Sequence, residues 1–151
     1  MEIRVLSSDD VQKALPMAEA IEGMKRAYSR LSSGRVEMPL RSRVHVPEQE
    51  GVLLTMPAAL PDDSEMAVKL VTVFGKNPAR GFPLIHSAVL VLDTENGQIK
   101  ALMDGEVLTA VRTGAGVGAA TELLASTDAV SVAIIGSGKQ ACSQLDAVCT
   151  V

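Results

Sequence analysis

Three basic side chains stand where a solvated surface residue would be unusual. Arg41 lies in the stretch MPLRSRVHV, Lys69 interrupts the apolar run AVKLVTV, and Arg112 falls in a segment with helical spacing and three glycines. A cation cannot be buried unpaired, so each side chain must reach solvent or an anion. A solvated sheet face for Lys69 and a salt bridge for Arg112 explain the pattern as well as a shared carboxylate site does. In such a site, arginine would bind both oxygens and lysine would add a point charge.

A glycine-rich turn near the end of the sequence could bind phosphate. The apolar run SVAIIG leads into GSGKQA at 136–141, a G-x-G-x-x-A pattern. Gly136 would permit the tight turn, Gly138 would let a pyrophosphate approach the backbone, and Ala141 would keep the helix close to its strand. The pattern predicts the start of a dinucleotide site, the alternative being a tight turn with no ligand. The acidic residue that would separate NAD from NADP falls beyond Val151, so both stay open.

The other titratable residues give weaker signals. His86 in FPLIHSAVLVL fits a satisfied core or turn histidine, and Asp104 could be a general base but more commonly would cap a helix. Cys142 and Cys149 would lie about 10 Å apart along a helix, too far for a disulfide, which favours reduced thiols in a cytoplasmic protein. No metal site is predicted, because neither thiol has a histidine nearby in the sequence.

The elements that must position these residues begin with helices. Ser and Asp in SSDDVQKAL fit a helix cap, and MAEAIEGMKRAYSRLSSGR repeats apolar residues at steps of three and four. Pro16 would be its first helical residue and Gly34 its C-terminal cap. The period then changes to two, which predicts strands in RSRVHV, GVLLTMPAAL, EMAVKLVTVF, LIHSAVLVLD and QIKALMDG, with a hairpin turn at Asn96 and Gly97.

Helical spacing returns in GEVLTAVRTGAGVGAATELLAS. The residues expected to face inward are Leu108, Val111, Ala115, Ala119 and Leu123. The three glycines of this segment each cost a helix about 0.8–1 kcal/mol relative to alanine. The sequence therefore predicts close approach of another backbone or of a ligand to this helix.

Composition excludes several classes of function. The 151 residues suit one ordinary domain, and a net charge of −4 with only 2% aromatic residues disfavours nucleic-acid binding. No apolar stretch approaches the roughly 18 residues that span a bilayer, and the start MEIRVLSSDD lacks the layout of a signal peptide. We therefore expect a cytoplasmic protein without a membrane partner.

In order and spacing, these segments resemble the N-terminal half of the ornithine cyclodeaminase/mu-crystallin family. The stretches that support the resemblance are MPLRSRV, TMPA, AVKLVTVF, GFPLIHSAVLVLD, ALMDGEVLTAVRTGAGVGAATELLA and AIIGSGKQACSQLDAV. The resemblance implies an α/β protein with an N-terminal α+β domain for substrate binding and dimerisation over residues 1–128. Residues 129–151 would then be the first strand and helix of a Rossmann domain, truncated just inside it.

The resemblance also implies an activity and a set of site residues. The activity is NAD(P)-dependent hydride transfer at the α-carbon of an amino or imino acid, of ornithine cyclodeaminase, alanine dehydrogenase or ketimine reductase type, in a homodimer. The positions that match substrate-carboxylate contacts are Arg41, Lys69 and Arg112, with Arg43 as the alternative to Arg41. The positions that match cofactor contacts are Arg112, His86, Ser87, Gly136, Ser137, Gly138, Lys139 and Gln140.

The family's catalytic aspartate would lie in a second half that this sequence does not include. We therefore expect no catalytic residue in the chain, no complete reaction, and poor anchoring of residues 131–151 or contacts borrowed from another chain. The alternative is a non-catalytic module that dimerises or binds small acids. A hormone-binding role, as in the crystallin member, is disfavoured by the scarcity of aromatic residues.

Overall fold

Six strands and four helices make up the fold, which a computed structural model describes for residues 2–151. The strands are β1 (Arg4–Leu6), β2 (Ser42–Val46), β3 (Gly51–Leu60), β4 (Glu65–Phe74), β5 (Ile85–Asp93) and β6 (Ile99–Asp104). The helices are α1 (Ser8–Ala14), α2 (Met17–Ser32), α3 (Gly105–Leu124) and α4 (Lys139–Thr150). The architecture is therefore mixed α/β, as the sequence predicted.

All six strands belong to one sheet with the order β1-β6-β5-β4-β3-β2. Neighbouring strands are antiparallel except for β1, which pairs parallel to β6. The five strands predicted from the period of two are confirmed, and so is the hairpin between β5 and β6, where Gly97 has a φ of +73°. The sequence did not predict β1, because a strand of three residues is too short to show a period.

The first two helices begin and end close to the predicted positions. At α1, the Ser7 hydroxyl accepts a hydrogen bond from the Asp10 backbone N–H at 3.3 Å, and the Asp10 carboxylate accepts one from the Ser7 N–H at 2.9 Å. This reciprocal pair is a capping box. Pro16, predicted as the first helical residue, is the N-cap of α2, so the helix begins one residue later than predicted, and Gly34 follows the helix end with a φ of +71°.

Small residues let the helices α2, α3 and α4 approach closely. The buried cluster among them consists of Ala20, Ile21, Ala115, Ala119 and Ala147. The predicted approach of another backbone is confirmed at Gly114, where a Cβ would collide with the Ser143 carbonyl of α4, whereas a Cβ on Gly118 would collide with the Ile21 side chain of α2.

The prediction that Leu123 faces inward is wrong, since this side chain is 70% exposed. Gly114, Ala115, Gly118 and Ala119 form the buried face of α3, and one turn further this face reaches Glu122. Glu122 bonds Lys25 of α2 at 2.6 Å. The face that contacts the other helices is therefore rotated away from Leu123.

The apolar run before the glycine turn forms no strand, and this prediction is wrong. Residues 129–137 have no sheet assignment, and Val130 and Ile135 are 95% and 101% exposed. A strand of this type needs parallel neighbours. Within residues 2–151, every strand already belongs to the six-stranded sheet of β1 to β6, and none is left to pair with this segment. The expected poor anchoring holds for residues 131–138 but is wrong for α4, whose Ala147 is buried in the helical cluster.

Among the described residues, no helix combines the length and the apolar character that crossing a membrane requires.

Candidate functional site

One face of the sheet collects most of the predicted carboxylate-binding residues. Lys69 in β4 pairs with Met56 of β3 and with Val89 of β5, and paired residues share a face. Ser87 lies two residues before Val89 and therefore on this same face. Helix α3 covers this face where Lys69 reaches it.

The Lys69 ammonium bonds to a hydroxyl on α3. Its Nζ donates to the Thr109 Oγ1 at 2.5 Å, and that hydroxyl in turn donates to the Gly105 backbone carbonyl. Burial of the ammonium, and then the positive charge of Arg112, lower the pKa of Lys69 below that of an exposed lysine. The side chain thus points under α3 rather than into open solvent.

Arg112 follows Thr109 by three residues, which places the two side chains one turn apart on the same side of α3. The Arg112 side chain is exposed and has no carboxylate within ion-pair distance in the described part of the chain. Lys69 is half-buried, and it too has no carboxylate within ion-pair distance in residues 2–151. The structure therefore brings together two cations that repel each other and that no acidic side chain among the described residues neutralises.

The two arginines of the β2 segment lie on the same side of the sheet. Arg43 pairs with Leu54, which pairs with Val71, two residues after Lys69. Arg41 directly precedes Ser42, which pairs with Thr55 of β3. If the pairing of β2 with β3 continued by one residue, Arg41 would lie opposite Met56. Strands are about 4.8 Å apart, which separates the backbones at Arg41 and Lys69 by about 10 Å. Both arginines are exposed, and a long side chain can span part of this distance.

His86 lies apart from these residues. It pairs with Thr72, so strand alternation places it on the sheet face opposite Lys69 and Ser87. There it lines a shallow cavity whose other residues are Gln49, Thr72, Phe74, Asn77 and Arg80. His86 and Ser87, predicted together from the resemblance, are thus not brought to one site.

The glycine turn leaves room for a ligand. Gly136 has a φ of +108°, which favours glycine, and Gly138 is the N-cap of α4. A Cβ on either residue would have no other heavy atom within 4 Å. The free N–H groups at the start of α4 and the open space above them fit a pyrophosphate.

An exposed ion pair joins this turn to the helix that carries the cations. Lys139 pairs with Glu106 in the first turn of α3. At 1.5 Å per residue, Glu106 precedes Arg112 by about 9 Å along the helix. The glycine turn and the two cations therefore lie along one helix, although no motif in the sequence linked them.

Two further residues have defined roles at this end of α3. Asp104 caps the helix, with its Oδ1 accepting from the Val107 N–H at 2.8 Å, as the N-cap alternative predicted. Sequence analysis did not identify Thr109, whose only signal was its spacing of three from Arg112.

Both cysteines are exposed and free, and no cluster of three or more metal-binding side chains occurs among the described residues.

Comparisons with known proteins identify relatives that match nearly the whole chain. The chain is 33% identical over 147 residues to a Δ1-pyrroline-2-carboxylate reductase of Bacillus cereus, covering 97% of this chain and 45% of that protein. It is 33% identical over 145 residues to the ketimine reductase mu-crystallin of Rattus norvegicus, covering 93% and 46%. The chain thus spans about half the length of the curated relatives it matches.

Solved structures give the same result. The Thermococcus litoralis Δ1-pyrroline-2-carboxylate reductase, in complex with NADH and L-proline, superposes with a TM-score of 0.88 at 40% identity, over 99% of this chain and 46% of that one. An archaeal alanine dehydrogenase dimer with bound NAD superposes with a TM-score of 0.90 at 31% identity, over 100% and 46%. The sequence model of the ornithine cyclodeaminase/mu-crystallin family matches residues 1–151. The chain belongs to the ornithine cyclodeaminase/mu-crystallin family.

Proposed function

We propose that this chain supplies the substrate-binding domain and the first dinucleotide-binding turn of an NAD(P)-dependent reductase of amino or imino acids. Residues 1–128 would bind the substrate and form a homodimer, and residues 129–151 would begin the dinucleotide-binding domain. The relatives that support this are the pyrroline-2-carboxylate and ketimine reductases and the alanine dehydrogenase dimer. An ornithine cyclodeaminase activity would use the same carboxylate site.

The single observation that carries the proposal is the unneutralised pair of cations. Lys69 is held against α3 with its pKa lowered partly by Arg112, and neither has an acidic partner in the described part of the chain. Two adjacent positive charges are stable only if an anion or solvent neutralises them. A substrate carboxylate between Lys69 and Arg112 would satisfy both, and Arg41 would add a third contact from the edge of the sheet.

The cofactor would bind at the glycine turn. The backbone from Gly136 to Gln140, which includes Ser137, would hold the pyrophosphate, and Lys139 pairs with Glu106 beside it. When bound, the nicotinamide would exchange a hydride with the α-carbon of the substrate. Ser87 and Arg112 would contact the nicotinamide from the sheet and from α3. His86, on the opposite face, would act only if that face is covered in the dimer.

A second candidate is a module that binds small acids without catalysis. The observation that favours it is the state of residues 129–137, which are exposed and paired to no sheet within the described chain. A dinucleotide bound to the turn would then lack the support that a parallel sheet gives to such a site. The carboxylate site on α3 does not depend on this segment.

Calorimetry with L-proline and L-prolinamide tests the carboxylate site, because the amide keeps the ring and removes the negative charge. We expect L-proline to bind and L-prolinamide not to bind. Lys69→Gln and Arg112→Gln should each weaken L-proline binding by about tenfold or more, since each removes a charge-assisted contact. Lys13→Gln on the exposed surface of α1 is the matched control and should change nothing.

Binding of NADH, measured by its fluorescence, separates the two candidates. NADH binding that Gly138→Ala weakens supports the reductase domain. L-Proline binding without NADH binding supports the binding module. Equal binding of the amide and the carboxylate would contradict both.

A further inference from the structure

We propose that Thr109 is a positioning residue that holds the Lys69 ammonium beside Arg112 for the substrate carboxylate. The inference rests on the proposed function and adds a residue that the family resemblance did not assign. Two hydrogen bonds of the Thr109 hydroxyl support it. Those bonds join the centre of strand β4 to the first two turns of α3.

The direction of the two bonds follows from the single proton of the hydroxyl. The Thr109 Oγ1 donates that proton to the Gly105 carbonyl, which has no proton of its own to give. Toward Lys69 the same oxygen can therefore only accept. An acceptor favours the ammonium over the neutral amine, because the charged group is the stronger donor.

In the part of the chain that the structure describes, no other group bonds the Lys69 ammonium. Strands β3 and β5 present Met56 and Val89 at the positions paired with it. The charged group that acts on it is Arg112 of α3, which repels it, while Glu106 of the same helix is paired with Lys139. Without Thr109, the flexible lysine stem would turn the ammonium away from Arg112. Binding the carboxylate would then have to order that stem again.

A threonine that bonds the carbonyl four residues earlier is common in helices and is not itself evidence. Thr113 donates in this way to the Thr109 carbonyl at 2.6 Å, and Thr150 to the Asp146 carbonyl at 2.7 Å. In residues 2–151, only the Thr109 hydroxyl also accepts from a lysine. The lysine contact distinguishes Thr109 from a threonine that only bonds its own helix.

The test compares Thr109→Val, which has the same shape but no hydroxyl, with Thr109→Ser, which keeps the hydroxyl. In calorimetry against L-proline, we expect Thr109→Val to weaken binding by about tenfold, the loss typical of a hydrogen bond to a charged group. The loss of binding at alkaline pH should move to lower pH, because the Lys69 ammonium loses its acceptor. Thr109→Ser should restore both the affinity and the pH profile.

Thr150→Val on α4 is the matched control, since it removes the same type of helix bond without a lysine and should leave binding unchanged. Wild-type affinity and an unshifted pH profile in Thr109→Val would overturn the inference. A titration of the Lys69 side chain by NMR needs no substrate and should give a lower pKa in Thr109→Val than in the wild type. If the wild type binds no L-proline, the proposed function fails. The titration then decides by itself whether Thr109 holds the Lys69 ammonium, and an unchanged pKa in Thr109→Val would overturn the inference.

Discussion

A Cβ atom on Gly114 of α3 would lie 2.3 Å from the backbone carbonyl oxygen of Ser143 on α4. The two helices are thus in backbone contact at this point, which is closer than any side chain permits. The contact holds α4 on the rest of the fold even though residues 131–138 before it are exposed.

Gly114→Ala should destabilise the protein, although alanine favours a helix by about 1 kcal/mol over glycine. The added methyl group meets backbone, which cannot rotate away, so α3 and α4 must separate. Overpacking of this kind costs about 1–3 kcal/mol, and we expect a net loss in the free energy of unfolding measured in urea.

Gly23→Ala is the matched control for that variant. Gly23 also lies inside a helix, but a Cβ there would meet only the Arg26 guanidinium at 3.9 Å. This substitution should therefore stabilise the protein by about 0.5–1 kcal/mol. If both glycine substitutions stabilised the protein to the same degree, the close packing of α3 on α4 would be contradicted.

The sequence predicted the fold wherever a period or a cap is local. The alternation of β3, β4 and β5 and the spacing in α2 and α3 are properties of short segments, so they could be recognised without a structure. The strand predicted before Gly136 was wrong, because strand formation in that segment depends on neighbouring strands that its own residues do not specify.

The candidate site was predictable in part for the same reason. Lys69 and Arg112 stood out because a cation is costly where apolar residues surround it. That they meet depends on how α3 crosses the sheet, which the sequence pattern does not give. Thr109 has no unusual local context, and the resemblance gave the position of His86 but not the sheet face that its side chain occupies.

The lowered pKa of Lys69 predicts how stability depends on pH. Between this lowered pKa and the higher value of the unfolded chain, the unfolded state binds more protons at Lys69 than the folded state does. The free energy of unfolding should therefore rise with pH across that window, as the charged form that the fold disfavours is lost. Lys69→Met should remove this rise. The check is urea unfolding of both proteins over a pH series up to 10.5, the ordinary value for lysine, with the difference between the two curves as the readout.

Asp104 should act as a helix cap, which two substitutions can distinguish from a general base. Asp104→Asn keeps an oxygen for the Val107 N–H and should leave the urea midpoint nearly unchanged. Asp104→Ala removes the acceptor and should cost about 1 kcal/mol. An asparagine variant that unfolds like the wild type but binds L-proline more weakly would instead show that the carboxylate acts at the substrate site.

A substitution at Gly138 tests dinucleotide binding at the glycine turn without changing the stability of the fold. Gly138 has a φ of −77°, an ordinary value for any residue, and a Cβ there would have no heavy atom within 4 Å. Gly138→Ala should therefore unfold like the wild type, and L-proline should bind it unchanged. A pyrophosphate that approaches the backbone at this residue would collide with the new methyl group, so NADH affinity, measured by NADH fluorescence, should fall by at least about tenfold.

Gly136→Ala provides the contrast, because its φ of +108° is strained for any residue with a Cβ. That variant should lose stability as well as NADH affinity, so it cannot separate the two effects by itself. Wild-type NADH affinity in Gly138→Ala would mean that the segment is a tight turn with no dinucleotide on it. The carboxylate site at Lys69 and Arg112 would then remain as the binding function of the chain.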